Sequence, residues 1–167
     1  MEECIEMKVS GVVMDPSSNT PILVLKDESG DTVLPIWIGV MEAAAIAASL
    51  EKVVPPRPMT HDLFASVLYE LGAQLLSVEI PRVSEGTFYA VLNLQTSDGM
   101  LELDARPSDA VALSLRAPCP IYVTMEVVEA AGLVVEKPDT DDSTEDSEKL
   151  KELLENLPED VFGKYKI

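Results

Sequence analysis

At 167 residues the chain has the length of one ordinary domain, and a 47% share of hydrophobic residues excludes a disordered chain. Twelve basic residues stand against thirty acidic ones, a net charge of −18 that repels phosphates at long range and argues against duplex binding. No apolar run approaches the ~20 residues that span a bilayer, and the MEECIEMKV start lacks a secretory pattern, so the chain reads as soluble and cytoplasmic, with no membrane partner.

Residues 4–14 and 21–27 are rich in Val, Ile, Leu and Met, and the turn formers DPSSNTP between them predict a β-hairpin. A second turn over residues 27–31 leads into a strand over 32–38 that Gly39 ends. The run MEAAAIAASLEK predicts a helix over 40–52, whose alanines allow close approach to a sheet. Three prolines make 53–58 a rigid connection, and Thr60 is a suitable cap for the next helix. Leu63, Val67, Leu68 and Leu71 then fall at helical spacing, and Gly72 suits the position just past the helix end.

Strands over 74–83 and 87–96 flank Ser84-Glu85-Gly86 as a second hairpin, and a short strand over 100–104 follows Asp98-Gly99. Pro107 opens a helix through Arg116, residues 121–123 add an edge strand, and a last helix covers 125–131. The expected fold is α+β, one domain over 1–135 of mainly antiparallel hairpins packed with about four helices. Residues 136–148 are too charged to order and predict a flexible linker. Over 149–167, Leu150, Leu153, Leu154 and Leu157 form one apolar face of a short helix, which is marginal alone and points to docking on the domain or to a homo-oligomer.

Two polar stretches sit where a helix begins. In Arg57-Pro58-Met59-Thr60-His61-Asp62, Asp62 suits the first turn, where the helix dipole favours negative charge. His61, the only histidine of the chain, is suited to act as base, ligand or hydrogen-bond partner. In Asp104-Ala105-Arg106-Pro107-Ser108-Asp109, Pro107 and Asp109 serve helix initiation, whereas Asp104 and Arg106 are not needed for it. Either the stretch is an ion-pair network, or Asp104 and Asp109 hold a divalent cation while Arg106 steadies a phosphate.

Glu42, a charge among apolar neighbours, needs a partner if buried; Arg57, Arg106 or Arg116 can supply one, and a shared metal site is the alternative. Cys4 and Cys119 are too far apart in sequence to suggest a disulfide framework or a thiolate zinc site, so any metal would take oxygen ligands, as Mg²⁺ or Mn²⁺ do. There is no Gly-rich phosphate loop and no nucleophile elbow. Phe88 and Tyr89 are adjacent and therefore on opposite strand faces, a poor platform for base stacking.

Taken together, LPIWIG followed by EAAAIAASLE, then RPMTHDL, GTFYAVLNL and DARPSDAVALSLR resemble the bifunctional nuclease family over roughly residues 5–133. The resemblance implies an α+β domain that cleaves DNA and RNA, with Glu42, His61, Asp62, Asp104, Arg106 and Asp109 at the family's polar motif positions. On that basis Asp104, Asp109 and Glu42 are expected to bind Mg²⁺ or Mn²⁺, which activates water and neutralises the scissile phosphate. His61 and Asp62 join Arg106 in the expected catalytic set, His61 as general base or acid and Arg106 stabilising developing charge. The acidic surface favours single-stranded nucleic acid over duplex as the partner. The competing reading is a non-catalytic binding or assembly module in which these motifs are structural.

Overall fold

The β-branched runs of the amino-terminal third pair as a meander in the computed structural model, which describes residues 3–134. Strand β1 (Cys4–Met14) runs antiparallel to β2 (Pro21–Asp27), and β2 antiparallel to β3 (Thr32–Trp37). The loop after Met14 is closed by Asp15, whose carboxylate accepts hydrogen bonds from the Ser17 backbone, the Ser17 and Ser18 hydroxyls and the Trp37 indole. Strands β4 (Gln74–Ser84) and β5 (Thr87–Thr96) form the second hairpin. Its two turn residues, Glu85 and Gly86, both have positive φ, the backbone that matches the twist of a two-residue hairpin. Strand β6 (Gly99–Ala105) continues this meander antiparallel to β5.

The two meanders are joined by β7 (Ile121–Thr124), antiparallel to β1 and parallel to β4. The expectation of an edge strand at 121–123 is therefore corrected: β7 lies inside the eight-stranded sheet, ordered β6-β5-β4-β7-β1-β2-β3-β8. Four residues suffice because both neighbours are long. Ile121 and Val123 supply the core face, and the Thr124 hydroxyl donates to the Pro81 carbonyl. The edge beyond β3 is filled by β8 (Leu133–Val134), a two-residue strand without a signal in the sequence.

Four helices are present among the described residues: α1 (Val40–Leu50), α2 (Thr60–Glu70), α3 (Pro107–Ser114) and α4 (Met125–Ala131). None is long and apolar enough to cross a membrane. Helix α3 packs on β4 and β5 and touches both α1 and α2. It is buried at seven of its eight positions, the pattern of a helix enclosed on all sides, and the exception is Asp109. Its Ala110, Val111, Ala112 and Leu113 share one core with Leu23, Leu25, Ile36, Ile46, Ile80 and Leu94. A second cluster, Ile22, Val24 and Val33 with Val13 and Trp37 beside it, occupies the other face of β2 and β3.

Helix ends follow local chemistry. Gly72, with φ of 67°, ends α2 in a Schellman motif, its own N–H donating to the Tyr69 carbonyl and that of Ala73 to Leu68. Thr60 is not the cap expected of it: it is the first helical residue, and the cap is Met59, whose N–H donates to the Asp62 carboxylate. The linker expected over 136–148 and the leucine-faced helix expected over 149–167 lie outside the described residues.

Candidate active site

The three helices α1, α2 and α3 begin with the same device. Their caps are Gly39, Met59 and Arg106, none of which caps through a side-chain hydrogen bond, and the third helical residue of each is an acid: Glu42, Asp62 and Asp109. A carboxylate there complements both the exposed backbone N–H groups and the positive end of the helix dipole. Because α3 lies against α1 and α2, the side chains of these first turns meet.

Asp109 is the centre of the cluster. Its Oδ1 lies 3.0 Å from His61 Nε2, and its Oδ2 accepts a hydrogen bond from Arg106 Nε at 2.6 Å. Arg106 Nη1 reaches Glu42 Oε1 at 2.8 Å, so one guanidinium joins the heads of α1 and α3. Burial works to raise the Asp109 pKa, but the hydrogen bonds from Arg106 and His61 outweigh it and hold the carboxyl below its ordinary range. The hydrogen bond to Asp109 likewise strengthens the protonated form of Arg106. An ionised carboxylate only accepts, so His61 Nε2 carries the proton it shares with Asp109, and in the neutral ring Nδ1 is the acceptor. His61 is largely enclosed, with 15% of its side chain exposed, whereas Arg106 is 65% exposed. The cluster thus has a partly enclosed base-type group and an open cationic one.

Asp62 faces away from this centre. Its Oδ1 pairs with Arg116 Nε and its Oδ2 accepts the Met59 N–H at 2.9 Å. The Arg116 hydrogen bond is the main reason its pKa lies below the ordinary carboxylate range. Arg116, weighed in the sequence only as a partner for Glu42, is therefore the partner of Asp62; Glu42 takes Arg106 instead. Gly39 also carries a constraint that its role as a strand terminator does not reveal: a Cβ there would overlap Glu42 Oε2, which folds back over the glycine.

Asp104 is not brought to the cluster. It is exposed on β6 opposite Val91, while its neighbours Leu103 and Ala105 pack against the core, so strand alternation turns Asp104 to the face away from the helices. Among the described residues no group of three or more His, Cys, Asp or Glu side chains is arranged to hold a metal ion. The sequence-expected trio of Asp104, Asp109 and Glu42 thus does not assemble as a ligand set. Glu42 and Asp109 do converge on one cationic centre, the Arg106 guanidinium, and their oxygens are of the kind that a hard divalent cation takes.

Elsewhere, Cys119 borders a cleft of about 240 Å³ between β1 and the segment after α3. Burial pushes its thiol up to about 11, which leaves it protonated and a poor nucleophile near neutrality. Phe88 packs against the core, and Tyr89 lies under the Arg82 guanidinium, 3.8 Å from the ring centre. No buried side-chain nitrogen or oxygen among the described residues lacks a partner.

The bifunctional nuclease domain family matches residues 23–136, which include all three helix heads. An uncharacterized protein of Mycobacterium tuberculosis is 42% identical over 162 residues, 94% of this chain and 97% of that protein. Bifunctional nuclease 1 of Oryza sativa subsp. japonica is 25% identical over 161 residues, 94% of this chain and 49% of that protein. Bifunctional nuclease 1 of Arabidopsis thaliana is 24% identical over 136 residues, 79% of this chain and 42% of that protein. The chain therefore spans about half the length of these plant relatives and nearly the whole of the mycobacterial one. From the domain match over residues 23–136, it follows that this chain belongs to the bifunctional nuclease domain family.

Proposed function

We propose that this protein is a nuclease that hydrolyses phosphodiester bonds of DNA and RNA, single-stranded in preference to duplex, at the Glu42, His61, Arg106 and Asp109 cluster. The observation that carries the reading is the ordered chain His61–Asp109–Arg106–Glu42 at the meeting of three helix N-termini, in a chain of the bifunctional nuclease domain family. Asp109 orients the imidazole through Nε2, leaving Nδ1 to take a proton from water as that water attacks phosphorus, while the P–O bond to the departing sugar oxygen breaks and that oxygen takes a proton from solvent. Arg106, open to solvent and with further N–H donors beyond those given to Asp109 and Glu42, binds the phosphate oxygens and stabilises their developing charge. The backbone N–H groups at the helix heads add positive potential in a molecule that is otherwise acidic.

Mg²⁺ or Mn²⁺ is part of this proposal: Glu42 and Asp109 are the residues that would hold it, and it would bridge the acidic protein to phosphate and lower the pKa of attacking water. Asp62 acts as a support rather than in contact with substrate, given its pairing with Arg116. We also propose that the protein is a homo-oligomer, joined through the apolar stripe that α2 and its C-cap present to solvent: Leu63, Phe64, Val67 and the cap residue Leu71.

The deciding experiment is cleavage of labelled single-stranded DNA and RNA by wild type, Asp109→Ala and Asp104→Ala, each with Mg²⁺, Mn²⁺ or chelator. Asp109→Ala is expected to lose roughly 10²–10⁴-fold in kcat, the contribution of a positioned acid–base group, and Asp104→Ala to stay within about twofold. The pairing of Glu42, Asp62 and Asp109 favours a second reading, a non-catalytic binding or assembly module. No cleavage by wild type under any of these conditions would select that reading, whereas equal activity in Asp109→Ala would remove the cluster as the site of cleavage.

A further inference from the structure

Arg116 lies just past the end of α3, deep between helices, with 12% of its side chain exposed. Its planar fork reaches three helices at once. Nε pairs with Asp62 on α2, Nη1 donates to the Ala112 carbonyl of α3 at 2.8 Å, and Nη2 donates to the Ala45 carbonyl of α1 at 3.1 Å. Each grip falls within one turn of a residue of the proposed site. Ala45 is one turn beyond Glu42, Ala112 is one turn beyond Asp109, and Asp62 is the neighbour of His61. Asp62 is held from both sides, since its second oxygen accepts the Met59 N–H, so the first turn of α2 cannot slide along α3 without breaking the pair.

We propose that Arg116 is a positioning residue for the cluster. It fixes α1 and α2 against α3 so that His61 meets Asp109 and Glu42 meets Arg106, and it does not touch the substrate. This rests on reading the cluster as the active site. The two arginines of the DARPSDAVALSLR stretch thereby divide the work, the exposed Arg106 facing the phosphate and the enclosed Arg116 setting the frame. A lysine cannot replace Arg116, because one ammonium on a flexible stem does not hold three acceptors in a plane.

The test uses the full chain as wild type, Arg116→Lys, Asp62→Asn and the double variant. Kinetics of phosphodiester cleavage are read beside the side-chain ¹⁵N–¹H signals of His61, unambiguous because it is the only histidine. In Arg116→Lys, kcat is expected to fall on the order of 10- to 100-fold with KM within about twofold, the signature of a site assembled out of register. The His61 signals should shift towards those of an Asp109→Ala control, which loses the imidazole's partner. Asp62→Asn should reproduce both effects, and the double variant should be no worse than the worse single one, since both break the same link. Asp62→Asn also carries the test if Arg116→Lys does not fold.

A folded Arg116→Lys with wild-type kcat and unmoved His61 signals would overturn the proposal. So would a rise in KM at constant kcat, which would put Arg116 on the substrate. Should wild type cleave nothing, the nuclease reading fails, while the His61 signals still decide whether Arg116 positions that ring.

Discussion

At the scale of single residues the most exposed constraint is Gly39. Its φ of −73° and ψ of 158° suit any residue, so the glycine is needed for space and not for backbone freedom. In Gly39→Ala the new Cβ displaces the Glu42 carboxylate, whose flexible side chain swings away and gives up its pairing with Arg106, leaving the guanidinium held by Asp109 alone. Stability is expected to change by less than about 1 kcal/mol, because the bond lost is a partly exposed ion pair. Phosphate affinity should change more, and a rise in KM at nearly constant melting temperature is the outcome to look for. The carboxylates carry a second expectation. Asp62 is lowered chiefly by its Arg116 hydrogen bond, while in Asp15 and Asp109 burial is outweighed by hydrogen bonds from Ser18, Ser17 and Trp37, and from Arg106 and His61. Groups with a folded pKa below the unfolded value stabilise the fold above about pH 4 and lose that contribution as pH falls through the lowered value. Urea unfolding should therefore give nearly constant stability from neutrality to about pH 5 and a decline below about pH 4; a rise on acidification would contradict the pairing described.

Among the elements, α2 is the one with an unexplained face. Leu68 and Ala65 turn to the core, yet Leu63, Phe64, Val67 and Leu71 form a second apolar stripe that is 41% to 75% exposed. Single exposed leucines need no explanation, but a contiguous stripe on one helix marks a contact surface. The four residues of the stripe are uncharged and Glu70 borders it, so two acidic copies can meet there about a two-fold axis with that carboxylate kept at the rim. Light scattering on wild type and a Leu63→Glu/Val67→Glu variant checks this. The expected result is an oligomer for wild type and a monomer with unchanged circular dichroism for the variant. A monomeric wild type, or an oligomer that survives the change, removes α2 as the interface.

For the whole molecule, charge sets how nucleic acid is engaged. The 1–135 region holds seven basic and nineteen acidic residues, so its binding cannot be built from many phosphate contacts. Arg106 is the exposed cation of the site, and one phosphate contact on a single strand corresponds to a slope of about −0.7 in log affinity against log salt. Titration of a labelled single strand between 50 and 200 mM salt, at fixed divalent cation, should then weaken binding by only about two- to threefold. A loss of a hundredfold or more would point to a basic surface that the helix heads do not supply.

The sequence by itself determined most of the elements, because period, turn chemistry and helix signals are local. The DPSSNTP and Ser84-Glu85-Gly86 turns, the alanine-rich α1 and the Gly72 stop of α2 all act within a few residues of where they are read. It also marked His61, Asp62, Arg106 and Asp109 as residues at helix starts. Only the tertiary structure decided which of these meet. Strand alternation sends Asp104 to the far face of the sheet although it is five residues from Asp109, whereas His61, 48 residues away, lies 3.0 Å from that carboxylate. The interior place of β7 depended on two meanders closing around it, and the partnership of Arg116 with Asp62 on how α2 lies against α3. Such pairings are set by packing between elements distant in the chain, and spacing along one strand or helix carries no record of them.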